Sequence, residues 1–442
     1  MRVVLSYLNF GPYHVRRLEA CREAGLQVHG LAMAREQSEY GWQTIDDPSL
    51  HYAFRDQPLE AIPASAWVRP LERILTELKP DVCAVAGYSH PAMLTLANLC
   101  LRHQIPWVMM SDSQEIDEPR RGWQEWIKSR IVRLASSGFA AGSPHVDYLE
   151  RLGMERDKCC VGYDVVDNDY FANEAVNWRR QMNGNERLDK SLPITPRLLN
   201  FNYLPYFLAS NRFIEKKNLF RLLDAYARYS QSDLVAGGSG HSEDAQHATD
   251  KDQQRALPWD LCMLGDGELR EKLLAHCETL GLYVATEAPW EGPASNRQLP
   301  KVYFPGFRQI DELPRFYAHA GVFVHASTSE QWGLVVNEAM ASSLPVIVSN
   351  RVGCVKDLIE EGCNGFTFDP YSVEQLTGLL FKVSALGFPL ASLGSESSRR
   401  IKDWGLNRFT SGLKNSARKA MENGAGKSRM IDHFLMHQLI RR

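Results

Sequence analysis

The sequence lacks long apolar runs, a cysteine pattern and an excess of either charge. No stretch approaches 18 uninterrupted apolar residues, which argues against a membrane-spanning helix. The formal net charge of -3 over 442 residues leaves no broad basic excess for a nucleic-acid partner. The nine cysteines are scattered singly, apart from Cys159 and Cys160, so neither a zinc site nor a disulfide framework is indicated. This usage predicts reduced thiols in a cytoplasmic protein.

What the chain does have is a regular alternation of short apolar runs and helical patterns. Such runs, separated by helices, are typical of parallel sheets covered on both faces. The sequence therefore predicts an α/β protein with two doubly wound, Rossmann-like sheets that face a cleft, with ligands beyond the carboxyl ends of the strands. The predicted strands are 2–8, 27–33, 81–86, 106–111 and 138–142 in the first half, and 206–209, 259–264, 302–305, 322–325 and 345–349 in the second.

A polar, proline-containing stretch between the two halves predicts the domain boundary. We expect an N-terminal Rossmann-like domain over 1–185, a linker over 186–198 and a C-terminal Rossmann-like domain over 199–385. Residues 386–442 are expected to form helices that return to the N-terminal domain, followed by a tail. Residues 232–257 lack apolar periodicity and predict a mobile insertion.

The most informative segment spans residues 329–341, where two carboxylates lie eight residues apart around a strand-to-helix turn. Glu330 lies before the turn and can accept hydrogen bonds from sugar hydroxyls, and Glu338 lies one turn into the helix, where it can reach a ribose. The amides of Gly333, Leu334 and Val335 would open that helix and point at an anion. The alternative is an ordinary surface glutamate and a first-turn glutamate favoured by the helix dipole.

Two cations follow the first strand of the second half. Arg212 lies at the strand end and Lys217 at the start of a helix, where a positive charge is unfavourable unless an anion is nearby. A diphosphate would supply that anion, and both cations would stabilise it as a leaving group. The alternative is a salt bridge of Lys217 with Glu215 or Asp224.

These segments resemble the family 4 retaining glycosyltransferases of the GT-B architecture, and the resemblance is dense from about residue 161 to 370. It is carried by 165–171, 211–218, 222–226, 264–269, 302–307, 329–347 and 362–366. The resemblance implies a nucleotide-diphosphate sugar as co-substrate, no other cofactor and no metal. Transfer would retain the anomeric configuration without an enzymic nucleophile.

The same resemblance implies roles for single residues. Arg212 and Lys217 would bind the donor diphosphate, and Glu330 would hold the transferred sugar together with the amides of residues 333–335. Glu338 would bind the ribose, and residues around Gly265 and Phe307 would flank the base. The Asp-Asn-Asp sequence at 167–169 is interpreted as structural rather than as a metal site.

The N-terminal half departs from the family pattern. Gly11 is a single glycine where the family has a richer loop, and it would let the backbone approach the phosphates. The neighbouring residues 14, 16 and 17 are either phosphate ligands or a solvated helix turn. Family members carry a histidine after the strand at 106–111, whereas this chain has Asp112 there, and His90 at another strand end is a second candidate for the catalytic role.

Partners follow from these expectations. The acceptor would be a sugar, a lipid or a small molecule bound mainly by the N-terminal domain. Residues 120–134 combine two tryptophans with several cations, so they predict either peripheral contact with the inner face of a membrane or a packed helix with a basic outer face. Alternative functions are a non-catalytic sugar-nucleotide-binding protein and a GT-B sugar-nucleotide epimerase.

Overall fold

The computed structural model describes residues 1–37, 47–182, 205–232, 258–291 and 299–441. The predicted linker at 186–198 lies outside the described residues, as does all but the first residue of the predicted insertion at 232–257. Across the described ranges, no helix is both long enough and apolar enough to cross a membrane.

The chain divides into two compact units. The first comprises Met1–Asp167 and Asp403–Arg442, and the second comprises Asn168–Lys402. These boundaries differ from the predicted ones: the described residues 168–182 were assigned to the first domain and 386–402 to the helices returning to it, and both stretches lie in the second unit.

The first unit is built around a seven-stranded parallel sheet. Its strand order is β3-β2-β1-β4-β5-β6-β7, so the direction of winding reverses at β1. Its first twelve elements are β1 (Arg2–Tyr7), α1 (Pro12–Glu23), β2 (Gln27–Ala34), β3 (Leu50–Phe54), α2 (Val68–Leu78), β4 (Val82–Ala86), α3 (Pro91–Arg102), β5 (Trp107–Ser111), α4 (Gly122–Val132), β6 (Ser137–Ala140), α5 (Ser143–Arg151) and β7 (Cys159–Val161).

The continuous apolar runs of the central strands are explained by burial on both faces of this sheet. Along β1, Val3 and Leu5 pack into one hydrophobic cluster, and Val4 packs into the cluster on the other face. Because side chains alternate across a strand, a strand covered on both faces needs apolar residues at every position. The sequence pattern therefore predicted the central strands of this sheet and not the two edge strands, β3 and β7.

The second unit contains another seven-stranded parallel sheet. Its strand order is β10-β11-β9-β8-β12-β13-β14, and the winding reverses at β8. The elements are α6 (Asn168–Met182), β8 (Tyr206–Ser210), α7 (Leu219–Ser230), β9 (Asp260–Leu264), α8 (Arg270–Thr279), β10 (Tyr283–Ala285), β11 (Lys301–Gly306), α9 (Leu313–His319), β12 (Val322–His325), α10 (Leu334–Ala341), β13 (Val346–Ser349), α11 (Val355–Leu358), β14 (Gly365–Phe368), α12 (Val373–Ser384) and α13 (Leu390–Ile401).

Helix α6 accounts for the shifted boundary. Arg179 on this helix is buried, and its guanidinium donates to the carbonyl oxygens of Ala318 and Ser342 at 3.0 and 2.8 Å. Phe171 meets Tyr317 edge-on at 6.0 Å between ring centroids. A buried guanidinium bound to carbonyls at the ends of α9 and α10 fixes α6 to the second unit, although the polar residues after it suggested a boundary further on.

The chain ends with α14 (Leu406–Asn423) and α15 (Met430–Ile440) in the first unit. The hydroxyl of Ser137 at the start of β6 donates to the carbonyl of Ser416 on α14 at 2.8 Å. Phe409 of the same helix packs on Phe139 at 5.3 Å. Helix α14 therefore covers one face of the first sheet.

Candidate functional site in the second unit

The loops that leave β8 and β12 carry the predicted cations and the first predicted glutamate. These two strands are neighbours, and β8 is the strand at which the winding reverses. In doubly wound sheets ligands bind beyond the carboxyl ends of the strands at such a reversal. The topology therefore brings together segments that are more than a hundred residues apart in the sequence.

Lys217 and Glu330 form a buried ion pair at this position. Their side chains are 10% and 13% exposed, so solvent screens the pair only weakly. The sequence offered Glu215 or Asp224 as alternative partners of Lys217, whereas the structure pairs it with Glu330, and Asp224 contacts His276 at 2.7 Å. The pair places an ammonium and a carboxylate at the predicted donor site.

Two further groups approach the same carboxylate oxygen of Glu330. The Ser327 hydroxyl donates to Oε2 at 3.4 Å, and Nε2 of His325 lies 3.6 Å from it. Lys217 also contacts Oε2. Three groups on one oxygen fix the orientation of the carboxylate before any ligand arrives.

The electrostatics keep Glu330 ionised. Burial opposes ionisation, yet the Lys217 ammonium and the contact with His325 hold the pKa of Glu330 well below its usual value. Burial lowers the pKa of Lys217, Glu330 opposes this shift, and the charges of Lys216 and Arg212 act in the same direction as burial. An ionised, oriented carboxylate is suited to accept hydrogen bonds from sugar hydroxyls.

Backbone hydrogen bonds hold the loop after β12 in place. The amide of Thr328 donates to the carbonyl of Lys216 at 2.9 Å, and the amide of Gly353 donates to the carbonyl of Glu330 at 3.0 Å. The loop is thus joined to the loops after β8 and β13 on its two sides. Main-chain atoms therefore contribute to holding this loop in addition to its charged side chains.

The turn into α10 requires a glycine. Gly333 has a φ of +99° and is the N-cap of this helix. A side chain there would be strained, and its Cβ would lie 3.0 Å from Val352. Leu334 and Val335 follow as the first helical residues, whose amides have no acceptor within a helix. The half-buried helix start is therefore chemically suited to an anion.

Gly265 is required for a different reason. A Cβ at this residue would lie 1.8 Å from the carbonyl oxygen of Asn211, and the φ of Gly265 is +127°. Its amide donates to the carbonyl of Gly306 at 3.1 Å, which joins the loop after β9 to the end of β11, and the amide of Asn211 in the loop after β8 donates to the carbonyl of Leu264 at 2.9 Å. Phe307 follows Gly306 and is 38% exposed. The expected roles of Gly265 and Phe307 beside the base stay predictions.

Glu338 is more deeply buried than its predicted role suggested. It is 1% exposed, and its Oε2 accepts a hydrogen bond from the Tyr317 hydroxyl at 2.8 Å. The structure thus orients this carboxylate from within the unit. Its contact with a ribose stays a prediction.

Two polar residues at this edge were not singled out by the sequence reasoning. Asn211 is 9% exposed, and within the described residues neither its Oδ1 nor its Nδ2 has a hydrogen-bond partner. His325 is fully buried at the end of β12. Buried polar groups are normally hydrogen-bonded, so the side-chain amide of Asn211 at the carboxyl end of β8 is available to bind a ligand or water. For both Asn211 and His325, the available sequence signal was a polar residue at the end of an apolar strand or directly after it.

The predicted N-terminal candidates

In the first unit, Gly11, His90 and Asp112 follow β1, β4 and β5, which are adjacent strands. Gly11 is the N-cap of α1 with a φ of -82°, a conformation open to any residue. His90 caps α3, since its Nδ1 accepts from the Ala92 amide at 3.2 Å, and burial lowers its pKa. Asp112 is half-buried. The sheet topology groups all three at one edge, and their chemical roles stay predictions.

The basic residues of α1 are already occupied. Arg16 contacts Asp167 at 2.7 Å and Glu23 at 2.8 Å. Arg17 is buried and donates to the carbonyl of Val165 at 2.7 Å. Both arginines therefore have partners within the first unit, which favours a structural role for them over phosphate binding, and Asp167 is one of those partners.

Comparison with known proteins

The fold is that of the GT-B glycosyltransferases, which confirms the predicted fold class. Anabaena HepE, solved in complex with UDP, matches with a TM-score of 0.62 at 14% identity, over 94% of this chain and 98% of that chain. Sucrose-phosphate synthase from Thermosynechococcus elongatus matches with a TM-score of 0.64 at 16% identity, over 95% and 98%. At such identities the likeness establishes the fold alone.

The sequence match is confined to part of the chain. Residues 196–391 match the model of the family glycosyl transferases group 1, and this range contains all the site residues predicted in the second unit. The sulfoquinovosyl transferase SQD2 of Arabidopsis thaliana is 50% identical over 74 residues, which are 16% of this chain. The chain spans only 14% of the length of that relative.

Proposed function

We propose that this protein is a retaining glycosyltransferase that moves a sugar from a nucleotide-diphosphate donor to an acceptor bound mainly by the first unit. The observation that carries the proposal is the buried pair of Lys217 and Glu330 at the reversal between β8 and β12. The family match over 196–391 supports it. The paired carboxylate and ammonium are the two kinds of group that a sugar and a diphosphate need.

The donor diphosphate is proposed to bind Lys217, Arg212 and the amides at the start of α10. As the bond between sugar and phosphate breaks, negative charge develops on the leaving phosphate, and the two cations stabilise it. The unsatisfied amide of Asn211 lies on the same loop as Arg212 and is placed to donate to the same anion.

The transferred sugar is proposed to bind Glu330, whose carboxylate is oriented through Oε2. Positive charge develops on the sugar in an oxocarbenium-like state, and the acceptor attacks from the face that the diphosphate leaves. No enzymic nucleophile is needed for this route. Glu338, oriented by Tyr317, is proposed to hold the ribose, with Gly265 and Phe307 beside the base.

The test of donor binding is a thermal-shift screen against UDP, GDP, ADP and their sugars. A ligand at 100 times its Kd raises the free energy of unfolding by about 2.7 kcal/mol. We expect one base to raise the melting temperature in the wild type and in Lys272→Ala, an exposed lysine of α8, but not in Lys217→Ala. Equal shifts of the melting temperature in Lys217→Ala and Lys272→Ala would show that Lys217 does not contribute to donor binding.

A non-catalytic sugar-nucleotide-binding protein is the second candidate. It is favoured by the capping role of His90, which leaves the first unit without an evident catalytic histidine at the predicted positions. Donor hydrolysis separates the two functions. A transferase slowly releases free sugar of retained configuration, whereas a binding protein returns the donor intact.

Contact with a membrane through residues 120–134 is a further part of the proposal. Trp123 and Trp126 on α4 are 51% and 50% exposed, and the guanidinium of Arg130 lies 5.9 Å from the ring centre of Trp126. Interfacial tryptophans and cations favour an anionic bilayer. The nine cysteines, all within the described residues, are free, which agrees with the cytoplasmic location proposed.

Co-sedimentation with vesicles tests this contact. The wild type and Tyr283→Ala, an exposed aromatic of the second unit, are expected to bind phosphatidylglycerol vesicles more than phosphatidylcholine vesicles. The double variant Trp123→Ala, Trp126→Ala is expected to lose that binding. Equal sedimentation of all three proteins would exclude the contact.

A further inference from the structure

His325 is a fully buried histidine beside the candidate donor site. It is the last residue of β12, and its Nε2 lies 3.2 Å from the Ser327 hydroxyl and 3.6 Å from Oε2 of Glu330. Within the described residues, its Nδ1 has no hydrogen-bond partner. Packing alone does not explain the residue, because an aliphatic side chain would fill this strand position without a buried polar atom.

The groups that face His325 come from two loops and from its own strand. Lys216 and Lys217 lie on the loop after β8, and Ser327 and Glu330 lie on the loop after β12. On β12 itself, the ring of Phe323 stacks at 6.3 Å. Burial lowers the pKa of His325, contact with Glu330 opposes this shift, and the Lys217 ammonium adds to it. The imidazole is therefore neutral while Lys217 and Glu330 are paired.

Donor binding changes this balance, provided that the proposed function holds. If the Lys217 ammonium moves to the diphosphate, its attraction to Glu330 weakens, and a buried carboxylate without a cation is unfavourable. Besides Lys217, the imidazole of His325 is an ionisable neighbour of this carboxylate, with its Nε2 3.6 Å from Oε2. The charge of Lys217, which suppressed protonation of His325, is then neutralised by phosphate.

We propose that His325 is a positioning residue that replaces Lys217 as the charge partner of Glu330 when the donor diphosphate binds. One proton enters from the solvent and converts the imidazole to imidazolium, and Nε2–H then faces Glu330 directly or through Ser327. No covalent bond forms or breaks in this step. Glu330 thereby keeps its orientation toward the sugar while Lys217 serves the leaving group.

Isothermal titration calorimetry of the full chain tests the proton uptake. UDP, GDP and ADP are titrated at pH 8 in buffers of different ionisation enthalpy, such as HEPES and Tris. For the diphosphate that binds, the wild type is expected to take up about one proton more than His325→Gln, whose amide keeps a hydrogen bond without titrating. Equal proton uptake by both proteins would overturn the inference and leave the proposed function standing.

Failure of the proposed function is distinguishable in the same experiment. If none of the three diphosphates binds the wild type, both the donor site and this inference fall. If His325→Gln does not fold, Glu330→Gln gives the same test, because a neutral amide needs no charge partner. Glu330→Gln is expected to bind the diphosphate with about one proton less uptake than the wild type, and wild-type uptake in this variant would overturn the inference.

Kinetics with the corresponding sugar donor give a readout that a purely structural role would not move. His325→Leu is expected to lower kcat more than tenfold with KM for the donor changed less than threefold, and His325→Gln is expected to restore part of kcat. The affinity of the wild type for the diphosphate should fall by up to tenfold per pH unit as pH rises through the pKa of His325 in the complex. The same pH dependence in His325→Leu would contradict the inference.

Discussion

The charged residues beyond the carboxyl ends of the strands have different kinds of partner in the two sheets. In the second unit, Lys217 and Glu330 meet from adjacent loops, and a helix start lies in the same loop region. In the first unit, Arg16 and Arg17 are occupied by Asp167 and by a backbone carbonyl. Both sheets have seven parallel strands and a reversal of winding, so topology alone does not create a ligand site.

From this difference we infer that a candidate site is marked by buried charged side chains that are not needed to hold secondary-structure elements together. The arginines of α1 tie a helix to the chain segment after β7, which is a structural task. The pair of Lys217 and Glu330 joins two loops that backbone hydrogen bonds already hold together. The pair is therefore not the sole link between these loops, and its charges are suited to a ligand.

The strongest test of this contrast is loss of the charged pair. Lys217→Ala and Glu330→Gln are each expected to lower the rate of sugar transfer by about 100- to 1000-fold, since each removes a group that stabilises developing charge. Breaking a buried pair also costs about 3–5 kcal/mol of stability, so both variants are expected to be less stable than the wild type. Transfer rates below the measured melting temperature of each variant check the first effect, and denaturant melts check the second.

The matched control for this test is Glu278→Gln, an exposed glutamate of α8. It should leave both the transfer rate and the melting temperature as in the wild type. Transfer by Lys217→Ala or Glu330→Gln at the rate of Glu278→Gln would end the case for the second-unit site.

Glycine substitutions test whether each of the two units requires a glycine beyond the carboxyl ends of its strands. Gly265→Ala is expected to cost about 3 kcal/mol, because its φ and its contact with the Asn211 carbonyl exclude a side chain. Gly11→Ala, at the corresponding edge of the first sheet, is expected to cost less than about 1 kcal/mol, since its φ suits any residue. Denaturant melts of the two variants measure both effects. A larger loss of stability in Gly11→Ala than in Gly265→Ala would show that the glycine of the first unit, rather than that of the second, is structurally required.

Acid stability provides a third test. The pKa of Glu330 is lower in the folded chain than its ordinary value of 4.5, so its ionised form stabilises the fold above that pH. This contribution is lost as pH falls from about 4.5 towards the folded pKa, at about 1.4 kcal/mol per pH unit. Wild type should therefore lose stability between pH 5 and 3 more steeply than Glu330→Gln, as measured by urea melts. Parallel curves would show that the pair does not couple to folding.

The smallest effects are expected in the first unit. His90→Ala and Asp112→Ala should each lower transfer by less than about tenfold, since His90 serves as a helix cap and Asp112 takes the position where the family has a histidine. Steady-state rates beside those of Lys217→Ala measure the contrast. A loss of about 1000-fold in His90→Ala would make the first unit an equal source of catalytic groups.

Much of the fold follows from the sequence because the central strands are buried on both faces. The prediction for residues 322–325 coincides with β12, and the other predicted strands agree to within a few residues. The strands that were not predicted are short and lie at or beside the sheet edges: Leu50–Phe54, Cys159–Val161, Tyr283–Ala285 and Gly365–Phe368. An edge strand has fewer apolar contacts, so its pattern is weaker.

The candidate site was predictable where charge and glycine carry the chemistry. Glu330, Lys217 and Gly333 belong to recognisable segments, and the parallel topology predicts that segments after adjacent strands converge. Asn211 and His325 were not predictable, because their significance comes from buried polar atoms without hydrogen-bond partners among the described residues, namely both amide atoms of Asn211 and Nδ1 of His325. Such a property depends on neighbours distant in the sequence.

The backbone contacts among the loops after β8, β9 and β11 have a consequence for changing what this protein binds. Gly265 is held between Asn211 and Gly306 by main-chain atoms, which do not depend on the identity of nearby side chains. Phe307 can therefore be exchanged without disturbing the frame around it. Under the proposed function, in which Phe307 lies beside the base, selection or engineering can alter nucleotide preference at this exposed ring while the charged groups elsewhere in the unit stay where they are.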